Sequence, residues 1–363
     1  MSPTALLRRL VPSGLRPLLR RAADAVSGAL ARLGARGRLA ATVHYALFGR
    51  SFDREHLAVL RGREAYAAQQ TQLRESAAAL RRNTHRLEKG LIMQPRRPVF
   101  GEGFIEETVR LYGKALALPG FSVEELAWAG AVLTEYFAVV GAAPAVDRAR
   151  AAFRALPAPP EAADPHRSGP FAPRPQGAGP GTEVSFEALS QLFVQRRSVR
   201  WYLDRPVPRA LVTQALEAAV LAPSACNRQP FRFVMALNRE DASRIAQCAG
   251  GTAGFAEQLP GVLVAIGDLS AYPYERDRHL IYIDTALAAM QFMLAAETLG
   301  LATCAINWPD IEAAERRLGA LVPLAPYERV IMLLAVGYAD PEGGVPFSQK
   351  KPTRLLLSEY EPS

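Results

Sequence analysis

The sequence has 363 residues, 49% of them hydrophobic, so it is long enough for two domains and has the composition of an ordinary globular protein. Nine arginines and a single acid in residues 1–50 account for the whole net charge of +8, and the rest of the chain is close to neutral. This distribution argues against a nucleic-acid-binding body, which would carry its positive charge on the folded domain.

In residues 1–50, leucines and arginines alternate at roughly helical spacing, which is a basic amphipathic pattern. Two interpretations stay open with equal weight. One is a peripheral contact with an anionic membrane surface, which would make the protein membrane-associated, and the other is a solvated arm. A cleaved, transit-like segment is a third and less favoured alternative.

The longest uncharged run near the N-terminus, residues 39–49, is about half the ~20 apolar residues that a spanning helix needs, so we expect no membrane span. The cysteines Cys226, Cys248 and Cys304 fit neither a disulfide framework nor the spacing of a zinc site. Free thiols are typical of a reducing compartment, so we expect a cytoplasmic protein without a metal site.

Residues 51–156 carry apolar side chains at intervals of three and four, most clearly in 75–91, 104–118 and 122–140. This pattern predicts a small helical domain. His85, Glu88 and Lys89 share one helix face and are either a binding group or an ion-paired surface. The second interpretation is favoured because no further pair of metal ligands accompanies them.

Residues 157–183 contain eight prolines and almost no large apolar side chain, which predicts an extended linker. The pattern that follows, over residues 184–363, alternates helices with short apolar strands and predicts an α/β or α+β domain with three layers, α-β-α, of which α+β is the favoured class. The predicted helices cover 186–197, 208–222, 281–300 and 310–321, and the predicted strands cover 231–237, 261–269, 301–307 and 329–339.

Arg196, Arg197, Ser198 and Arg200 stand where a helix gives way to an extended segment. Guanidinium groups beside a hydroxyl form a compact set of donors suited to a phosphate, since one guanidinium binds two phosphate oxygens at once. Taken alone, the same arginines are more typical of a helix C-terminus, where the helix dipole favours positive charge.

The segment APSACNRQP, residues 222–230, connects a helix to a strand. Ser224, Asn227 and Gln229 give this short loop several neutral donors and acceptors. Such groups are needed to bind the polar edge of a planar heterocycle, whereas an ordinary connection needs far fewer of them.

Together, four segments resemble the nitroreductase superfamily of FMN-dependent oxidoreductases over residues 185–358: RRSVR, APSACNRQP, DTALAAMQFMLAAETLGL with the following ATCAINWPD, and SQKKP. The resemblance implies bound FMN, NADH or NADPH as the reductant, a small-molecule electron acceptor, and a homodimer with the cofactor at its interface. It also implies that no side chain is catalytic, because the flavin carries the chemistry.

Carried over by matched position, the resemblance implies the following cofactor contacts. Arg196, Arg197 and Ser198 bind the phosphate and ribityl groups, Arg200 lies near the flavin N1 and C2 carbonyl, and either Lys350 or Lys351 completes the phosphate site. Pro223, Ser224, Asn227 and Gln229 meet the ring edge or the ribityl chain, and Ile306 and Asn307 lie along the ring.

The sequence departs from the family pattern at several positions. TAGFAEQLPG, residues 252–261, has no equivalent of the lysine or asparagine that family members often show. Trp308 either caps the substrate site or is a buried core aromatic. Met290 and Met293 are expected to fill the core, and Cys226 is expected to be buried and structural.

The resemblance favours an NAD(P)H-dependent reductase of a nitro, quinone or enone compound. A second hypothesis is an FMN-dependent oxidase or dehydrogenase of a biosynthetic intermediate. A third is a flavin-free scaffold that retains the fold only as a binding platform.

Overall fold

The computed structural model describes residues 15–48, 52–163, 171–173 and 182–361. The chain divides into two compact units, and the division falls between Leu57 and Ala58. Parts of the predicted basic arm, residues 1–14 and 49–50, lie outside the described residues, as do residue 51 of the predicted helical domain and 164–170 and 174–181 of the predicted linker.

The first unit contains the helices α1 (Arg16–Gly34) and α2 (Arg38–Leu47). Proline in the first turn of α1 suits a helix start, where no hydrogen bond from its nitrogen is required. The apolar side chains of α1 are largely exposed, among them Leu18, Leu19 and Val26.

Five helices follow: α3 (Asp53–Gln69), α4 (Ala78–Leu91), α5 (Ile105–Leu116), α6 (Val123–Val139) and α7 (Pro144–Arg154). Buried leucines and tyrosines of α4, α5 and α6 form one core, including Leu87, Tyr112 and Tyr136. The three helices predicted most clearly are therefore confirmed. Helix α4 begins three residues later than predicted because Ala77 is extended and donates its N–H to Glu125 Oε1 at 3.2 Å.

A four-stranded antiparallel sheet has the order β1-β2-β4-β3, with β1 Phe231–Ala236, β2 Gly261–Asp268, β3 Ala302–Asn307 and β4 Glu328–Gly337. All four predicted strands are confirmed to within two residues at each end. Alternate residues of β2 enter different cores: Val262 and Val264 pack on one face of the sheet and Leu263 packs on the other.

The remaining helices are α8 (Phe186–Gln195), α9 (Arg209–Ala219), α10 (Arg239–Ala246), α11 (Leu280–Thr298) and α12 (Glu312–Gly319). Helices α10 and α12 cover one face of the sheet, and α9 and α11 cover the other. The predicted three-layer α+β domain is confirmed. Helix α10 was not predicted, although Asn238 caps its first turn by accepting from Asp241 N at 2.9 Å.

One segment, residues 275–298, is long and apolar enough to cross a membrane. It includes α11, whose residues Ile281, Ala288 and Phe292 are fully buried, so α11 has the burial of a core helix. The expectation that both methionines of α11 fill the core is half wrong. Met293 is 7% exposed, whereas Met290 is 39% exposed because it lies on the outer face of the helix.

Candidate functional site

A pocket of about 330 Å³ lies beside the C-terminal end of α8. Helix α8 ends at Gln195, and Arg196 has extended backbone angles, φ −61° and ψ 115°. The chain therefore turns away from the helix, and Arg196, Arg197 and Ser198 line the pocket together with Lys350. Lys351 is not among the lining residues, so the structure distinguishes the two lysines that the sequence left equivalent.

The two arginines of this pocket differ in the hydrogen bonds of their side chains. Arg197 Nη2 donates to the carbonyl oxygen of Phe347 at 2.7 Å and to that of Pro346, so it fastens the C-terminal segment to the pocket. Arg196 Nε is buried and has no hydrogen-bond partner in the described part of the chain. A buried donor without an acceptor is costly, and an anion bound here would satisfy it.

Backbone contacts join Ser198 and Arg200 to the sheet. Ser198 forms a parallel bridge with Thr303 of β3, and Val199 N donates to Thr303 O at 3.0 Å. Arg200 donates to Ser198 O at 3.3 Å, and its guanidinium carbon lies 6.0 Å from the ring centre of Phe255. This attachment brings residues 196–200 alongside the strand that carries Ile306 and Asn307.

The side chains at the end of β3 point in different directions. Ile306 is 5% exposed and belongs to the core, so only its backbone is available to a ligand. Asn307, the last residue of the strand, is exposed. Trp308 is buried in the same core as Ile306, which favours the core interpretation over a substrate cap.

The predicted heterocycle-binding loop is held in a strained conformation. Cys226, Asn227 and Gln229 all have φ near +50°, which costs roughly 1–3 kcal/mol for each residue. Gln229 N donates to Ser224 Oγ at 2.7 Å, and Gln229 Nε2 donates to Asn227 Oδ1 at 3.2 Å. Pro223 is exposed at the entry to the loop. The two amides thus share one bond and keep further donor and acceptor capacity.

Asp284 of α11 anchors this loop, and sequence reasoning missed it. Its side chain is 2% exposed, and Oδ2 accepts from Ser224 Oγ and from Ala225 N, both at 2.9 Å. The Tyr272 hydroxyl lies 3.5 Å from the same oxygen. Burial, and then the charge of Asp284, raise the pKa of Tyr272. A single acid within the apolar run IYIDTALAAM was the available signal, because a lone charge on a core helix needs buried partners.

The helical segment also contacts the loop. Helix α4 packs against the 3-10 turn Ala225–Asn227, and Arg81 Nε donates to Asn227 O at 3.0 Å. Arg81 also pairs with Glu125 Oε2 at 3.2 Å, and that carboxylate is almost fully buried. Residues outside the predicted α+β domain therefore help to fix the loop.

His85 and Glu88, two of the three residues predicted to share a face of α4, lie at the distance of an ion pair. His85 Nδ1 lies 3.0 Å from Glu88 Oε2, and Trp128 Nε1 donates to Glu88 Oε1 at 2.8 Å. Lys89 is exposed. Within the residues described, no group of three potential metal ligands occurs.

The three cysteines are free, but they differ in exposure. Cys248 and Cys304 are buried, and burial raises the pKa of both thiols. The charge of Arg200 offsets this only in part for Cys304. Cys226 was expected to be buried and is instead half-buried, at a position with left-handed backbone, φ +52°.

The pocket and the loop are separate within one chain. The residues that line the pocket come from 193–198 and 346–350, and none belongs to the 222–230 loop. Side-chain hydrogen bonds tie the loop to α11 and α4, and the backbone N–H of Asp268 in β2 donates to Pro230 O at 2.8 Å. The pocket and the predicted loop are therefore two separate regions of one chain.

A family model described as the Nitroreductase family matches residues 193–254 and 242–338. A relative from Archaeoglobus fulgidus is 31% identical over 164 residues, which are 43% of this chain and 87% of the relative. The chain belongs to the nitroreductase family. The helices α3 to α7 lie outside the matched residues.

Named relatives include an NADH dehydrogenase of Thermus thermophilus, 30% identical over 41% of this chain and 86% of that protein. An FMN reductase [NAD(P)H] of Bacillus subtilis is 28% identical over 40% of this chain and 64% of that protein. Among solved structures, an FMN-dependent nitroreductase from Clostridium difficile R20291 is 24% identical over 43% of this chain and 91% of that chain, with a TM-score of 0.38.

Proposed function

We propose that this chain is an FMN-dependent oxidoreductase that transfers electrons from NAD(P)H to a small-molecule acceptor of the nitro, quinone or enone type. The observation that carries the proposal is the buried Arg196 Nε, which has no partner in the described part of the chain and belongs to a pocket also lined by Arg197, Ser198 and Lys350. Membership of the nitroreductase family and the FMN reductase relative support the same cofactor and reductant.

The donor set of the pocket fits a phosphate. Arg197 uses Nη2 for two carbonyl groups, which leaves Nε and Nη1 as donors, and the Ser198 hydroxyl and the Lys350 ammonium add two more groups. A guanidinium and an ammonium near one anion form charge-assisted bonds, roughly twice as strong as neutral ones. Arg196, Arg197, Ser198 and Lys350 would therefore hold the FMN phosphate.

FMN held there would supply the two-electron redox chemistry between NAD(P)H and the acceptor. The protein's own residues hold and tune it. Asn227 and Gln229 present amides on a loop whose strained backbone is fixed by Asp284 and Arg81, so little reorganisation is needed on binding. Arg200 contributes a positive charge beside the pocket.

We propose further that the functional unit is a homodimer, because each chain presents the pocket and the loop as separate partial sites. Helix α11 exposes Ile283, Leu287 and Met290 on one face, at 53%, 42% and 39%. Helix α8 exposes Phe186 and Val194 at 77% and 74%. Apolar surface on adjoining helices is typical of a subunit interface. A second copy would cover it and bring a loop to each pocket.

The exposed side chains of α1 bear on where the protein is located. We propose a cytoplasmic enzyme with peripheral membrane contact through residues 1–50. Leu18, Leu19 and Val26 of α1 are exposed, and Arg21 and Arg32 on the same helix are cations that anionic lipid attracts.

The proposal is tested by FMN titration of the apoprotein. Arg196→Gln removes the guanidinium with the unpartnered Nε, and loss of one charge-assisted bond should weaken FMN binding by about 2 kcal/mol. Arg209→Gln is the matched control, since Arg209 is exposed on α9 and does not line this pocket. Equal FMN affinity in both variants and the parent would contradict the phosphate site.

A further inference from the structure

A second cluster of arginines lies where α4 meets the 222–230 loop. Arg82 and Arg86 are four residues apart on α4 and so share one face of the helix. Arg228 lies within the loop, directly after the 3-10 turn on which α4 packs. No part of this cluster belongs to the phosphate pocket described above.

Each of the three guanidinium groups is fixed by neutral neighbours. Arg82 Nη1 donates to the Tyr66 hydroxyl at 3.0 Å. The guanidinium carbon of Arg86 lies 3.8 Å from the ring centre of Phe104. Arg228 lies over the ring of Tyr272, with 4.9 Å between the guanidinium carbon and the ring centre.

None of the ion pairs within the described residues involves these three arginines. Arg81, their neighbour, is different, because Glu125 neutralises it. Two carboxylates lie in the surroundings and are already engaged: Glu107 accepts from Asn83 Nδ2 at 2.9 Å, and Asp284, 3.5 Å from the hydroxyl of the Tyr272 ring that Arg228 covers, accepts from Ser224 and Ala225. Within the described residues, no carboxylate therefore forms an ion pair with the cluster, although Asp284 and Glu107 lie in its surroundings.

Arg228 is the most informative member of the cluster. Its side chain is more than nine-tenths buried at 9% exposure, and its Nε has no hydrogen-bond partner in the described part of the chain. A buried cation is normally paired, because removing charge from water is expensive. The unpartnered donor thus indicates a missing anionic acceptor.

The three charges also influence one another. Partial burial and then the charge of Arg82 lower the pKa of Arg86, and Arg228 acts in the same direction. Cys226 and Glu107 act in the opposite direction. These effects agree with the packing of α4 on the 3-10 turn of the loop.

We propose that Arg82, Arg86 and Arg228 form a subsite for the anionic group, a carboxylate or a phosphate, of the electron acceptor. Burial decreases from Arg228 through Arg82 to the exposed Arg86, so the cluster runs from the interior to the surface. Guanidinium groups suit this role because each presents a planar pair of donors. The inference rests on the proposed function, because it takes the 222–230 loop beside the cluster to be part of the FMN site.

A consequence is that the helical segment, which lies outside the family match, determines the class of substrate. Arg82 and Arg86 both belong to that segment. The enzyme should therefore favour acidic acceptors over neutral ones of similar redox chemistry.

Steady-state kinetics with 4-nitrobenzoate and 4-nitrobenzyl alcohol, using Arg82→Gln and Arg86→Gln, test the subsite. Each variant should raise KM for the acid about tenfold, by loss of one charge-assisted bond, and leave KM for the alcohol and the FMN content unchanged. Arg86→Lys should recover part of the loss. Arg154→Gln, at an exposed arginine of α7, is the control for the change in net charge.

Calorimetric titration with benzoate, and with benzamide as the neutral control, gives a readout that needs no turnover. Benzoate should bind the parent protein and bind the two glutamine variants about tenfold more weakly. The subsite would be overturned if Arg82→Gln and Arg86→Gln raised KM for the acid and the alcohol equally, or if they raised KM for NADPH alone. It would also be overturned if Arg154→Gln raised KM for the acid as much as they do. A protein that binds benzoate but not FMN would contradict the proposed function and leave the subsite standing.

Discussion

Replacement of Asp284 tests how the heterocycle-binding loop is held. Asp284→Ala removes the acceptor for Ser224 Oγ and for Ala225 N, each 2.9 Å from Oδ2. Hydrogen bonds to a charged group contribute about 1.5–3 kcal/mol each, so the loss should be on the order of 3 kcal/mol even without full additivity. The Tyr272 hydroxyl adds little, because 3.5 Å exceeds a good O–H···O distance.

Three residues of the loop have positive φ, and this conformation persists only while its anchors hold. We therefore expect Asp284→Ala to weaken FMN binding and to lower the free energy of unfolding. Asp284→Asn keeps one acceptor oxygen and should lose about 1 kcal/mol. Glu297→Gln is the matched control, since it removes a carboxylate from the other end of the same helix.

Urea unfolding followed by circular dichroism gives the stability of each variant, and hydrogen exchange at the Ala225 amide reports the loop directly. Ser224→Ala closes a double-mutant cycle with Asp284→Ala. If Asp284→Ala has parental stability, parental FMN affinity and an equally protected Ala225 amide, the anchoring role of Asp284 is refuted.

Three further predictions concern other parts of the chain. Arg81→Ala should cost about 3–5 kcal/mol in urea unfolding and weaken FMN binding, because it leaves the buried Glu125 unpaired and frees the Asn227 carbonyl; a parental unfolding curve would contradict this. Burial raises the pKa of Tyr112 from 10.0 to about 12, so its contribution to stability is complete below pH 10 and is lost as the pH rises to about 12. Tyr112→Phe should flatten the stability profile over that interval without cost at neutral pH, since the hydroxyl has no partner in the described part of the chain; an unchanged alkaline slope would exclude Tyr112 as its source. Anionic vesicles should sediment the full chain in low salt but not a chain lacking residues 1–50, and sedimentation of both would place the contact elsewhere.

The α+β half of the fold is largely predictable from the sequence. Strand β2 is a continuous apolar run that is buried on both faces, and the other three strands are also short, largely apolar runs, so hydrophobic pattern identifies all four. Helix α10 escaped prediction because the segment 239–246 is mostly polar and only three of its residues are buried. Helix α8 ends two residues earlier than predicted, at Gln195, and this places Arg196 and Arg197 on an extended segment.

The candidate site, like the fold, has one part that can be predicted from the sequence and one part that cannot. The local cluster Arg196–Ser198 and the loop amides can be identified because their chemistry lies in adjacent residues. The lone acid in its apolar run singles out Asp284, but the partners of Asp284 and Arg81 could not be identified from local pattern, since they are 60 and 146 positions away in sequence. Only the fold brings these groups together.

The visible spectrum of the purified protein during anaerobic titration with NADPH tests the central claim most directly. We predict flavin absorption in near-equal ratio to protein chains, bleached by NADPH and restored when a nitroarene is added. A colourless protein whose spectrum does not change with added FMN would contradict the account.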